Sequence, residues 1–246
     1  MKSIDPTPEN EMRAAIEGVD ELKPLPPALL DGLARFGDML LEANDQFNLT
    51  AIRTPEGVAR LHFADSLAPL NAEPAFADPG RAIDIGTGAG FPLIPLAMAL
   101  PHIRWMGLES TAKKCSFVSK ASRELGLRNV RVENQRAEDA GRGDLRGACD
   151  IATARAVGPI ASLIEVGLPL LRTAGILLLW KMRSAEEELE NALDLLDQMG
   201  GEALDPIFYR YPEDKQERAI FRIAKIKPTP AIYPRRNGLP FRNPLA

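Results

Sequence analysis

The segment Arg81-Ala82-Ile83-Asp84-Ile85-Gly86-Thr87-Gly88-Ala89-Gly90-Phe91-Pro92 decides the fold of this chain. A short apolar run that ends in alternating glycines predicts a buried strand followed by a tight turn, because glycine adopts left-handed backbone and leaves room for a ligand. The last glycine of a dinucleotide-binding G-x-G-x-x-G loop would fall at position 91, which is phenylalanine. The pattern therefore favours the G-x-G-x-G loop of nucleoside-binding α/β folds, with a glycine-rich packing turn as the alternative.

On both sides of this loop, the periodicity of apolar residues predicts the remaining architecture. After the loop, strand-like and helix-like segments alternate, which is typical of a doubly wound, mostly parallel α/β sheet. The last two strands are expected to pair antiparallel around the turn at 212–214. Residues 1–70 are predicted to form an N-terminal helical extension packed on the core, and residues 71–246 the main domain with a basic C-terminal tail. The predicted strands are 81–85, 104–108, 130–133, 150–154, 175–181, 206–211 and 217–226, and the predicted helices are 9–19, 27–44, 55–70, 92–100, 112–125, 159–171 and 185–199, the last with a capping box at Ser184 and Glu187.

The composition narrows the class of protein. With 246 residues and 45% hydrophobic content, the chain is long enough to bury a full core. No run approaches the roughly 18 apolar residues of a membrane span, and the N-terminus lacks the apolar core of a signal peptide. The two cysteines, Cys115 and Cys149, and the two histidines, His62 and His102, do not have the ligand spacing of a usual structural zinc site. We expect a cytoplasmic monomer without a metal.

The charge is distributed unevenly although the formal net charge is only -4. The segment 218–246 contains no Asp or Glu but several Lys and Arg residues. Such clusters are typical either of solvated surfaces or of anion-binding surfaces. A second basic cluster follows the glycine loop and comprises Lys113, Lys114, Lys120, Arg123, Arg128, Arg131 and Arg136.

The residues that follow the predicted strands form another pattern. In a doubly wound sheet, ligands bind outside the carboxyl ends of the strands, so these residues meet at one rim. Glu109 can accept both hydrogen bonds of a ribose diol there, and a solvated surface acid is the alternative. Asp84 is expected to orient the glycine loop. The predicted nucleoside site comprises Gly86, Gly88, Gly90, Glu109, Ala137, Glu138 and Arg155.

Taken in order along the chain, several motifs resemble one known family. Together they make the chain similar to the RsmG (GidB) methyltransferases, from about Leu40 to the C-terminus. The glycine loop alone is generic, whereas the ordered set is specific. The motifs are Asn48-Leu49-Thr50-Ala51-Ile52, His62-Phe63-Ala64-Asp65-Ser66-Leu67, the segment 84–92, Glu109-Ser110-Thr111-Ala112-Lys113-Lys114, Arg136-Ala137-Glu138, Ala154-Arg155-Ala156-Val157 and Tyr233-Pro234-Arg235-Arg236-Asn237-Gly238-Leu239-Pro240.

The resemblance implies transfer of a methyl group from S-adenosylmethionine to N7 of a guanine in 16S ribosomal RNA of the small ribosomal subunit. It implies that Gly86, Phe91, Ala137, Glu138 and Arg155 contact the cofactor and that Glu109 lies near its ribose. An ion pair at the sheet rim is the alternative for Arg155.

Further roles are hypotheses built on this function. We expect Lys113, Lys114, Arg235 and Arg236 to bind phosphates, and Asn48, His62 and Asp65 to line the target pocket or brace its wall. Lys181 is a further candidate for positioning the target base. A packing role is the alternative for His62. Lys181 matches a family lysine, although its neighbours Trp180 and Met182 depart from the usual Leu-Lys-Gly.

The residues that are missing agree with this chemistry. No Asn-Pro-Pro-Tyr or Asp-Pro-Pro-Tyr motif follows the fourth strand, which counts against methylation of an exocyclic amine, and no Pro-Cys nucleophile is present. A sulfonium methyl group is already activated, and guanine N7 carries no proton, so positioning suffices without a general base. Methylation of another RNA site, a protein or a small molecule, and a noncatalytic RNA adaptor, are the rival hypotheses.

Overall fold

Seven strands form one sheet in the computed structural model, which describes residues 8–212 and 215–245. In the order β3-β2-β1-β4-β5-β7-β6, the first five strands are parallel and β7 runs antiparallel to both of its neighbours. The predicted mostly parallel, doubly wound α/β sheet with an antiparallel end is confirmed. The strands are β1 (Arg81–Ile85), β2 (Arg104–Leu108), β3 (Val130–Glu133), β4 (Cys149–Arg155), β5 (Leu171–Met182), β6 (Gly201–Tyr209) and β7 (Arg218–Lys225).

Helices cover both faces of the sheet. None of the described helices is both long and apolar enough to cross a membrane. The helices are α1 (Pro8–Glu17), α2 (Pro27–Gln46), α3 (Pro55–Val58), a π-helical segment (Ala59–Ala64), α4 (Asp65–Leu67), α5 (Leu93–Ala99), α6 (Ala112–Glu124), α7 (Ala137–Arg142), α8 (Ile160–Gly167), α9 (Glu186–Asn191), α10 (Leu193–Met199) and α11 (Leu239–Arg242), with short 3-10 turns at Asp20–Leu22, Pro74–Phe76, Leu168–Leu170 and Arg183–Ala185.

The N-terminal helices share a hydrophobic core with one face of the sheet. α2 buries Leu33, Phe36 and Leu40, which belong to the same buried cluster as Ile151 in β4 and Leu178 in β5. The apolar periodicity of α2 thus produces a face that only the sheet and its neighbours can cover. The division near residue 70 remains a prediction, since the extension has no separate core among the described residues.

The opposite face of the sheet is covered mainly by α8 and α10. Every residue of α8 is buried, because the helix lies between the sheet and the C-terminal segment. Glu165 is part of this helix and has no exposed surface. A fully buried carboxylate requires a strong partner.

Several local predictions need correction. The predicted helix 185–199 is divided at the buried Ala192, and Ser184 lies in a 3-10 turn, so it caps no helix; the predicted capping box is wrong. β5 begins at Leu171 rather than at 175, because Leu171 pairs with Cys149 before an irregularity in the register. α7 and α11 were not predicted. The predicted turn at 212–214 lies partly outside the described residues.

Candidate functional site

The glycine loop at the end of β1 has the backbone that its sequence predicts. Gly86, Gly88 and Gly90 have φ angles of 66°, 57° and 98°, a region that other residues rarely adopt. A Cβ atom at Gly86 would lie 2.9 Å from the Val157 side chain, whereas a Cβ at Gly88 would meet only the Gly86 carbonyl oxygen, at 3.8 Å. The loop is therefore fixed by close packing at Gly86 and is less crowded at the half-buried Gly88.

Asp84 supports this loop from within β1. Its side chain is fully buried, and Oδ1 accepts a 2.7 Å hydrogen bond from the Thr153 hydroxyl on β4. Burial raises the pKa of the Asp84 carboxyl to about 7. In the described part of the chain, Oδ2 of Asp84 and Oγ1 of Thr87 have no hydrogen-bond partner. These contacts agree with a role in orienting the loop.

Glu109 connects the loop to the end of β2. Its Oε2 accepts a 3.0 Å hydrogen bond from the Gly88 N–H, and its Oε1 accepts a 2.7 Å bond from the Thr111 N–H. The residue is 6% exposed. Each carboxylate oxygen retains one further lone pair, so contact with a ribose diol stays a prediction. What the structure adds is that Glu109 shapes the glycine loop directly.

A cleft of about 190 Å³ lies at the carboxyl ends of the strands. It brings together Gly86, Ala137 and Glu138, three of the predicted cofactor contacts. The other five, Gly88, Gly90, Phe91, Glu109 and Arg155, do not line it. Sequence reasoning missed Phe241, whose place opposite the glycine loop depends on how the C-terminal segment folds back. The lining residues are Ile85, Gly86, Leu108, Ser110, Gln135, Arg136, Ala137, Glu138, Val157 and Phe241.

Glu138 anchors the C-terminal segment beside this cleft. The residue is 2% exposed, and its Oε1 accepts a 2.8 Å hydrogen bond from the Gly238 N–H. Asp139, the next residue of α7, accepts a 2.6 Å bond from the Asn237 side chain. The motif 136–138 and the closing motif 233–240 are therefore in contact, which explains how Phe241 reaches the cleft.

Phe91 lies under the loop and packs against the N-terminal extension. It is 6% exposed, and its ring stacks on His62 with centroids 4.4 Å apart and planes 16° from parallel. His62 also shares a 2.9 Å hydrogen bond with the Thr50 hydroxyl. Burial, reinforced by the Arg155 charge, lowers the pKa of His62 to about 4. His62 is therefore neutral at physiological pH, and the structure shows it in a packing role.

Asp65 is the centre of a polar cluster that joins the extension to the sheet. Its carboxylate accepts hydrogen bonds from Arg155 Nε at 2.5 Å, Tyr209 Oη at 2.7 Å and Arg218 at 3.1 Å. The Trp180 indole N–H donates to the Asp65 carbonyl at 2.7 Å. Asp65, the first residue of α4, is thus hydrogen-bonded to residues of four strands, β4 to β7.

Arg155 is held by this cluster. Besides Asp65, it donates a 2.5 Å hydrogen bond to the Leu61 carbonyl. Its guanidinium lies in an ion pair at the sheet rim, with a side chain that is 15% exposed. This is the alternative that the sequence left open, and the described contacts give Arg155 no place in the cleft.

The predicted phosphate-binding residues have different environments. Lys113 and Arg236 are exposed, and Lys113 lies 5.6 Å from the centroid of the Phe47 ring. Lys114 is half-buried. Arg235 instead forms a paired contact with the buried Glu165, at 3.0 Å and 2.7 Å from Oε2. Its guanidinium neutralises a buried carboxylate, so the contact of Arg235 with phosphate stays a prediction.

The remaining positioning candidates do not converge on one cavity. Asn48 is exposed and accepts a 3.1 Å hydrogen bond from Arg53. Lys181, near the end of β5, forms a 2.8 Å ion pair with Glu188. Within residues 8–212 and 215–245, no group of His, Cys, Asp and Glu side chains is arranged to hold a metal ion.

Comparisons with known proteins identify a family. The model of the GidB family, rRNA small subunit methyltransferase G, matches residues 30–206. The ribosomal RNA small subunit methyltransferase G of Carboxydothermus hydrogenoformans is 40% identical over 214 residues, which cover 86% of this chain and 89% of the relative. That of Deinococcus radiodurans is 38% identical over 213 residues, covering 86% and 84%.

A solved structure shares the architecture. The crystal structure of the [4+2]-cyclase SpnF superposes with a TM-score of 0.53 at 19% identity, covering 67% of this chain and 82% of the cyclase. At this level of identity, the similarity concerns the fold alone.

Proposed function

Since the chain belongs to the rRNA small subunit methyltransferase G (GidB) family and is thus a methyltransferase, we propose that it methylates N7 of a guanine in 16S ribosomal RNA. The methyl donor in this proposal is S-adenosylmethionine. The observation that carries it is the cleft in which the glycine loop meets Ala137 and Glu138 at the carboxyl ends of the strands. This rim is where doubly wound sheets bind nucleosides.

The residues around the cleft fit an adenosyl group. The positive φ of Gly86 brings the main chain to the cleft, and the cleft combines apolar walls with the polar side chains of Ser110, Gln135 and Glu138. Apolar walls with a few polar groups are typical of cofactor sites. Gly86, Gly88, Ala137, Glu138 and Val157 would hold the cofactor, and Glu109 would fix the loop and lie near the ribose.

The cofactor, when bound, supplies a methyl group activated by its sulfonium. The chain then has to place the guanine in line, and N7 needs no general base because it carries a free lone pair. The described site agrees with this requirement, since His62 is neutral and both of its ring nitrogens face Thr50 or Arg155. In this proposal, His62 and Asp65 brace the wall of the site, while Asn48 and Lys181 remain candidates for contact with the target base.

The RNA is proposed to bind through exposed cations near this rim. Lys113 and Lys114 begin α6 directly after the Glu109 motif, and Arg236 lies in the segment that Glu138 anchors. Such contacts neutralise phosphates without reading sequence. We further propose that the enzyme works as a monomer in the cytoplasm, on 16S ribosomal RNA or the small subunit.

The proposal is tested by methylating purified small subunits, free 16S ribosomal RNA and free nucleosides with labelled S-adenosylmethionine. Chemical cleavage at N7-methylguanine then maps the modified position. We expect label at one guanine N7 in subunits or 16S RNA and none in free nucleosides. Label at another atom would refute the N7 assignment, and cofactor binding without turnover on any RNA would favour a noncatalytic adaptor.

Matched variants connect the activity to the cleft. Glu138→Gln removes a charge beside the cleft. Glu190→Gln makes the same chemical change at an exposed residue of α9. We expect only the first to raise the KM for S-adenosylmethionine. Equal kinetics in the two variants would remove Glu138 from the proposed cofactor site.

A further inference from the structure

The amino-terminal edge of the sheet, opposite the proposed cofactor cleft, carries a concentration of arginines. Arg81 begins β1 and Arg104 begins β2, and the two are directly paired in register. Arg128 precedes β3, Arg131 lies within it, and Arg172 is the second residue of β5. All five are exposed. We call this surface the arginine basin.

Two adjoining depressions define the shape of the basin. One has a volume of about 400 Å³ and is lined by Arg81, Arg104, Arg128 and Arg131, together with the edges of β1 to β3. The other has a volume of about 370 Å³ and shares Arg81 and Arg104. Arg172 and His102 also line the second depression. The basin is therefore concave and cationic.

The charge of the basin is only partly neutralised. Asp150 is the one acid among its described lining residues, and it is engaged by the Arg172 side chain and by the Arg81 N–H. Arg131 pairs with Glu133. In the described part of the chain, the side chains of Arg81, Arg104 and Arg128 have no ion pair or hydrogen bond.

The arginines of the basin concentrate positive charge on a small surface. Arg81 and Arg104 occupy paired positions on neighbouring parallel strands, so their like charges lie close together. The chain as a whole has a net charge of -4, so general basicity does not account for the cluster. Guanidinium groups match the oxygens of phosphates through paired N–H donors. The chemistry of the basin is thus suited to a row of phosphates.

α6 connects the level of the cofactor rim to the level of the basin. Lys113 and Lys114 lie in its first turn, and Arg123 lies in its last turn, before the segment that carries Arg128. Its 13 residues span about 20 Å. The second basic cluster of the sequence therefore has members at both edges of the sheet.

We propose that the arginine basin binds backbone phosphates of the ribosomal RNA substrate at a second place, about 17 Å from the cofactor rim by the length of β1. This rests on the proposed function, because the substrate supplies the phosphates. Contacts at both edges fix the orientation of the RNA relative to the cleft, whereas contacts at the rim alone leave it free to rotate.

The test compares two triple variants with the same change in net charge. The basin variant is Arg81→Gln, Arg104→Gln, Arg128→Gln. The control variant is Arg35→Gln, Arg210→Gln, Lys215→Gln, whose residues are exposed and lie on α2 and beside the β6–β7 connection. Binding of 16S ribosomal RNA and of small subunits is measured across salt concentrations, with S-adenosylmethionine affinity and methylation kinetics in parallel.

In the basin variant, we expect the slope of log K against log salt to fall by about 2 to 3, since each lost phosphate contact contributes about 0.7 to 0.9. The KM for RNA should rise roughly tenfold. The control variant, kcat and S-adenosylmethionine affinity should not change. Each single basin substitution should lower the slope by about one, so the measurement does not depend on folding of the triple variant.

Two outcomes would overturn the proposal, and a third would contradict the proposed function alone. Equal losses in basin and control variants would show a general charge effect and overturn it. Tight binding of inorganic tripolyphosphate at the basin without a basin effect on RNA would also overturn it. If the wild-type chain methylates no RNA, the proposed function fails, but a basin-specific loss of RNA binding still supports the basin.

Discussion

Replacing Asp65 with alanine is expected to destabilise the fold strongly. The substitution removes the carboxylate that accepts hydrogen bonds from Arg155, Tyr209 and Arg218. These three residues lie on three different strands, β4, β6 and β7. The Arg155 and Arg218 side chains are only 15% and 18% exposed, so water compensates them poorly. Breaking a buried ion pair costs about 3 to 5 kcal/mol. Their residual exposure places the expected loss near the lower end, at about 3 kcal/mol.

Urea unfolding measures this loss directly. The midpoint should fall without a change in the m-value, since the unfolded surface is the same. For a chain of this size, a loss of about 3 kcal/mol corresponds to a decrease in Tm of about 6 to 12 °C. Asp65→Asn should lose less, because the amide still accepts from Tyr209 while the charge is gone.

Asp31→Ala is the matched control. Asp31 also pairs with an arginine, but its side chain is 62% exposed and Arg13 is 42% exposed. Solvent screens such a surface pair, so its loss should change stability little. A loss at Asp65 below about 1 kcal/mol, or equal to that of Asp31→Ala, would refute the role of Asp65 as the joint between extension and sheet.

Three further predictions concern the loop, a histidine and two neighbouring arginines. Gly86→Ala places a methyl group 2.9 Å from Val157 at a positive φ, so stability should fall by about 1 to 3 kcal/mol in thermal unfolding and S-adenosylmethionine affinity should fall in calorimetry. His62 has a folded pKa of about 4, below its unfolded value, so it contributes stability above about pH 6.5 that is lost as pH falls towards 4. The free energy of unfolding of the wild type minus that of His62→Gln should decrease over this pH range by at most about 3 kcal/mol. A difference that does not change with pH would contradict the prediction. Arg235→Ala should lose about 3 kcal/mol by orphaning its buried carboxylate partner, whereas Arg236→Ala should keep its stability and only weaken RNA binding and its salt dependence.

The sequence predicted those parts of the fold that depend on local pattern. The predicted bounds of β1, β2 and β3 agree with the structure to the residue, because each is a short segment of strand-forming residues between turn signals. The tight turn at the glycine loop is also predictable, because glycine adopts such backbone at little cost. By contrast, the predicted helix 185–199 is divided at Ala192, which is fully buried. No glycine or proline in this segment indicates the division.

The candidate site was predictable in position but not in contacts. Topology alone places Glu109 and Arg155 at one rim. It does not reveal that Glu109 accepts from the Gly88 backbone or that Arg155 is engaged by Asp65. The sequence alone does not reveal the role of Glu165. A single carboxylate in an apolar helix looks like a surface residue, and its partner Arg235 lies 70 residues later in the chain.

The Asp65 cluster also places a condition on how the protein matures during its synthesis. The partners of Asp65 follow it in the chain by 90, 115, 144 and 153 residues. At about 5 to 20 residues per second, a ribosome needs roughly 8 to 30 s to add the last of them. Until Arg218 has been added, the Asp65 carboxylate remains hydrated. The N-terminal helices cannot yet pack on the complete sheet. The extension is therefore made well before the strands that hold it in place.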